Sequence, residues 1–148
     1  MSNNASAPTT NFMTCCHNDD AGKLILRLTI GGLLLFHGVH KLQHGVSGMV
    51  DMISARGLPG FMAYGAYIGE VVAPILIIIG LFTRPAGLVV AFTLIMAIYI
   101  VHMGQLTQLG AEGGYALELQ MLYLLGGLAI VFLGAGKFRI TKSFGMWN

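Results

Sequence analysis

The chain has 148 residues, of which 55% are apolar and only 9% charged, where an ordinary soluble domain carries about 25% charged residues. That balance excludes a soluble enzyme, and the length leaves room for one domain. A net charge of +2, with basic residues clustered only in the C-terminal tail, leaves no footprint for nucleic acid, and 21 glycines without a Gly-X-Y period exclude collagen and point to helix packing.

Residues 1–22 are mostly polar, rich in Asn, Ser, Thr and Ala, and lack the apolar core of a signal peptide. This composition predicts a disordered tail. Within it, Cys15 and Cys16 are adjacent, a spacing that strains disulfide geometry, and with His17 they form a short run of soft-metal ligand types.

Four apolar stretches follow, over 24–42, 60–82, 86–103 and 116–134, each close to the roughly 20 residues that cross a bilayer core. The predicted fold is all-α: an integral membrane four-helix bundle over residues 23–138. Between the first two stretches, Val46, Met49, Val50, Met52 and Ile53 have the spacing of a short interfacial helix over 45–58. Thr83-Arg84-Pro85 predicts a tight turn, and Gly110 with Gly113-Gly114 a looser connection. Lys23, Arg84, Lys137, Arg139 and Lys142 fall on one side of such a bundle and Lys41 and Arg56 on the other, so both termini are expected in the cytoplasm, with residues 139–148 as a basic tail.

Within the stretches only Arg27, Lys41, Glu70 and Glu118 are charged. Ionisable groups at membrane depth are costly and mark functional sites unless they reach water or headgroups. His37, His40, Lys41 and His44 repeat at i, i+3, i+4 and i+7 on one helical face. His102, Glu118 and Gln120 are expected at similar depth, with Met62, Met103 and Met121. For Lys41, His44 and His102 the competing reading is contact with headgroups, and for Arg27 snorkelling to the cytoplasmic surface is favoured. Glu70 lies about 15 Å from its helix end, too deep for that. Pro74 cannot donate to the Glu70 carbonyl, so a kink and a free acceptor are expected there. Gly65, Gly69 and Ala73 form a small-residue stripe beside Glu70, with Gly31-Gly32 and Gly126-Gly127 as candidate complements.

The runs RLTIGGLLLFHGVHKL, RGLPGF, GEVVAPILIIIGLFTRPAG and GGLAIVFLGAGKF resemble the DoxX family of small four-helix bacterial membrane proteins. The resemblance covers 24–138 and rests on Arg27, His37-Gly38, Lys41, Gly57, Pro59, Glu70, Gly80-Leu81 and Arg84; the ending GAGKFRITKSF departs from the usual Gly-Pro-Gly-x-x-Ser-x-Asp. It implies a bacterial inner-membrane protein tied to quinone-linked thiol or thiosulfate oxidation or to oxidative-stress defence.

Three functions are compatible with these residues. In the first, Glu70 and His37 act catalytically on a quinone held by Arg27, Lys41, His102 and Glu118, with Phe36, Leu35 and Ile68 as apolar walls, because quinone reduction consumes two protons and its carbonyls need donors. The sequence has no dinucleotide fingerprint, haem-attachment motif or iron–sulfur spacing, so a protein partner would supply the electrons. In the second, His37, His40, His44 and His102 bind copper, or two histidines bind haem. The third is a scaffold or small-solute pathway. The bilayer is the expected surrounding in all three, with a homo-oligomer as one arrangement.

Overall fold

The computed structural model describes residues 18–140 and Trp147, so Cys15, Cys16 and His17 lie outside the described residues. Helix α1, Asp19–His44, starts four residues inside the tail expected to be disordered. The Asn18 side chain accepts the Ala21 N–H at 3.1 Å, and Asp19 and Asp20 face the positive end of the helix dipole. Helix α2, Ser47–Ala55, falls where a short helix is expected between the first two stretches. Its Ile53 is buried with Val46 and Ala63, and Met49, Val50, Met62 and Ile100 close around them.

Helix α3 runs over Gly60–Ile79 and helix α4 over Thr83–Gln105, and among the described residues these two and α1 are the helices long and apolar enough to cross a membrane. Neither α3 nor α4 is uniform. In α3 a 3₁₀ turn, Gly60–Tyr64, leads through one α turn into a π segment, Ile68–Val72, before α geometry resumes at Ala73–Ile79. The cause lies at Pro74, whose missing N–H leaves the Glu70 carbonyl without its usual partner; the N–H of Ala73 reaches back five residues to Ile68. Helix α4 changes in the same way, from Thr83–Ala97 to a π segment at Ile98–His102. Helix α5, Glu118–Leu133, is apolar but shorter.

The four long helices form a ring in which α1 packs on α3 and α5, and α4 packs on the same two. Ile30, Leu34, Ala73, Ile77, Val90, Leu94, Tyr123 and Ile130 meet in its centre. Between α3 and α4 the turn falls at 80–82 rather than at Thr83-Arg84-Pro85. Gly80 has φ +75°, which lets the Gly80 and Leu81 N–H groups cover the Leu76 carbonyl at 3.0 and 2.9 Å. Pro85 therefore sits in the first turn of α4, where its missing N–H costs nothing.

The small-residue contacts differ from those expected. Gly69 meets Thr93 of α4, Gly31 approaches the Pro74 carbonyl, and Gly127 pairs with Gly87, where a Cβ would lie 2.8 Å from the Gly127 carbonyl. Gly126-Gly127 thus serves α4 and Ile30 rather than the α3 stripe. At Gly38 the α1 backbone presses so closely on the Glu70 carbonyl that any Cβ would collide with it. The carbonyl freed by Pro74 is therefore covered by a glycine.

Candidate functional site

Lys41 and Glu70 come together. The Lys41 ammonium donates to Glu70 Oε1, and the side chains are 23% and 9% exposed. Lys41 thus turns inward to a carboxylate rather than outward to headgroups. Nearby the Tyr67 hydroxyl donates to the Lys41 carbonyl at 3.3 Å. Glu70 Oε2 is buried and has no hydrogen-bond partner among the described residues. A buried acceptor in that condition costs about 1–3 kcal/mol, more when charged.

The pair lines a cavity of about 580 Å³, within the usual range of ligand sites. The remaining walls are mainly apolar: Met49 and Ile53 from α2, Phe61, Met62, Tyr64 and Ile68 from α3, and Val89, Phe92, Met96, Ala97, Ile100 and Val101 from α4, with Thr93 beside them. Both π segments border it, Glu70 and Ile68 on one side and Ile100 and Val101 on the other. Such register changes let a helix aim a side chain off its regular stripe. A second, more polar pocket, lined by Ser47, Asp51 and Tyr67, shares Tyr64 with the first.

The other polar residues lie elsewhere. His37 is exposed, hydrogen-bonds the Leu33 carbonyl of its own helix and meets Tyr123 edge-on at 5.9 Å. His40 and His44 stack on each other at 4.2 Å. His102 contacts Gln105 Oε1 through Nδ1 at 2.9 Å and Gln120 through Nε2 at 3.3 Å, which ties α4 to α5. Glu118 is exposed and covers Gly114. Among the described residues no three His, Cys, Asp or Glu side chains group as metal ligands. Of the expected walls only Ile68 lines the cavity; Phe36 is exposed on the outer surface of α1.

Arg27 is 1% exposed, which corrects the expectation of snorkelling. Its Nε donates to the Ile77 carbonyl at 2.8 Å, Nη2 to Ile78 at 2.8 Å, and Nη1 to Ala135 and Phe138 at 2.6 Å each. The guanidinium fork thus closes the end of α3 and holds the non-helical segment 134–140 beneath it. Asp20 accepts the Lys137 N–H at 3.0 Å, and Ile140 donates to the Ile79 carbonyl at 3.2 Å, fixing the same segment.

The family model named DoxX matches residues 22–103, a stretch that holds Arg27, Gly38, Lys41, Glu70 and every residue lining the cavity. The chain belongs to the DoxX family. It is 36% identical over 125 residues to a Bacillus subtilis (strain 168) protein named "Putative oxidoreductase CatD", an alignment covering 84% of this chain and 92% of the relative. An uncharacterized protein of Haemophilus influenzae is 33% identical over 122 residues, covering 80% of this chain and 87% of its own length. No solved structure matches the chain significantly. Membership and the apolar helices together make this DoxX chain a membrane protein.

The α4 contribution to the cavity is absent from the sequence reading. Phe92, Met96 and Ile100 recur every fourth residue with Thr93 and Ala97 alongside, a stripe that carries the signal but looks like any lipid-facing apolar face.

Proposed function

We propose that this DoxX chain is a multi-pass subunit of an inner-membrane redox system, both termini cytoplasmic, and that it binds quinone in the cavity beside Lys41 and Glu70. The observation that carries this reading is an apolar cavity whose polar end is a buried ion pair with one carboxylate oxygen unmatched among the described residues. The name of the Bacillus subtilis relative supports a redox association.

The residues fit such a group. Phe61, Phe92, Met62 and Met96 offer ring and thioether contacts to a planar molecule. Lys41 has N–H groups beyond the one given to Oε1, suited to a carbonyl oxygen. Glu70 Oε2 is an acceptor at which a proton can be held, next to a cation that holds the carboxylate in place. A quinone supplies a two-electron, two-proton couple when bound, and a partner protein supplies or takes the electrons. Thiol or thiosulfate is the proposed ultimate donor class. This chain's part is to bind, orient and handle protons at Oε2.

Glu70→Gln keeps the shape and most of the hydrogen bonding but removes the titratable proton. Quinone-dependent turnover of the intact complex should fall about a hundredfold, while protein amount in the membrane and helix content stay normal. Full turnover in this variant would overturn the reading and bring the scaffold function forward.

A further inference from the structure

We infer that the cavity is built for the hydroxyl-bearing form of its ligand: a lipid-dissolved hydroquinone or phenol that donates to Glu70 Oε2 and enters sideways from the bilayer. This inference rests on the quinone reading and narrows it.

The acceptor decides the form. With Lys41 committed to Oε1, the outstanding capacity on the carboxylate is that of an oxygen needing a donor. A quinone carbonyl brought to Oε2 would set two acceptors against each other. A turn of the Glu70 carboxylate, whose side chain lines the cavity, would present the buried Oε2 to a hydroxyl there, and the bond so formed is charge-assisted, the stronger kind. The same hydroxyl oxygen keeps a lone pair for the Lys41 ammonium.

The walls decide the rest. Phe61, Tyr64, Ile68 and Phe92 line the cavity and are 73%, 58%, 56% and 61% exposed, so its open side lies on the outer apolar face of α3 and α4 rather than in the middle of the ring. On a membrane protein that face meets lipid. Aromatic rings and the thioethers of Met62 and Met96 favour a flat aromatic body over an alkyl chain.

The test uses the full chain in phospholipid nanodiscs and three probes: duroquinol under reducing conditions, its dimethyl ether, and duroquinone, each measured by equilibrium dialysis against empty discs. Duroquinol should bind at least about tenfold more tightly than the ether, the difference expected for one hydrogen bond to a charged acceptor, and more tightly than duroquinone. Glu70→Gln should shrink the gap several-fold. Ala97→Phe, whose side chain grows into the cavity, should abolish binding of all three. Equal binding of duroquinol and ether, or tighter binding of duroquinone, overturns the inference and leaves the quinone reading standing. Binding indifferent to Ala97→Phe places the ligand elsewhere and overturns it too. No binding of any probe above empty discs overturns both readings.

Discussion

Two cations on one helix, about four turns apart, have opposite surroundings. Arg27 is enclosed by carbonyls from two segments and spends its fork on four of them. Lys41 meets one carboxylate oxygen, and the other has no partner among the described residues. The first arrangement is satisfied and holds the fold; the second leaves an acceptor that the proposed ligand would complete. Burial of charge alone separates neither role: what separates them is whether every partner is supplied from within the chain.

The comparison breaks first at Arg27. A lysine there cannot span carbonyls on α3 and on 134–140, so Arg27→Lys should lose at least about 2 kcal/mol in a detergent unfolding titration, since at least two carbonyls go without donors at about 1–3 kcal/mol each. Unchanged stability would return Arg27 to the membrane surface. Next comes the floor of the Lys41–Glu70 site: Gly38→Ala drives a methyl into the Glu70 carbonyl and should cost about 1–3 kcal/mol. Gly32→Ala on the same helix, where a Cβ meets nothing within 4 Å, should be neutral or stabilising by up to about 1 kcal/mol.

A double variant sharpens the contrast. Lys41→Met with Glu70→Leu should unfold within about 1 kcal/mol of the parent while either single change costs more, because replacing a buried pair with apolar groups is often neutral and orphaning one partner is not. Turnover should be absent in all three. The smallest effect belongs to Asp20→Asn, which keeps the bond to the Lys137 backbone but loses the ion pair to an ammonium group that is 88% exposed. The loss of stability should be the smallest of the set and vanish in a melt at high salt.

The helices and the depth of Glu70 were legible because hydropathy and position along a helix are properties of one segment. Pro74 likewise announced the freed carbonyl, four residues away on the same chain. The pairing of Lys41 with Glu70 and the enclosure of Arg27 were not legible, since both depend on which helix stands opposite. The histidine face shows why. Steps of three and four residues turn a helix by about −60° and +40°, so a single stripe diverges: Lys41 reaches α3, His37 reaches Tyr123 of α5, and His40 and His44 meet each other. The π segments at Ile68–Val72 and Ile98–His102 displace residues from the regular helical wheel.

The non-helical segment beneath Arg27 also bears on bilayer thickness. Helix α1 has 26 residues, about 39 Å at 1.5 Å each, whereas α5 has 16, about 24 Å, short of a hydrocarbon layer of about 30 Å. The chain continues past α5 as irregular backbone, which lipid tolerates only where protein satisfies its polar groups; Arg27 and Ile79 do so, while Phe138 and Ile140 turn apolar side chains outward. The bundle is therefore taller on its α1 side than on its α5 side. In the proposed multi-pass arrangement the bilayer next to α5 and segment 134–140 would be the thinner side, a hydrophobic mismatch costing fractions of a kcal/mol per Å.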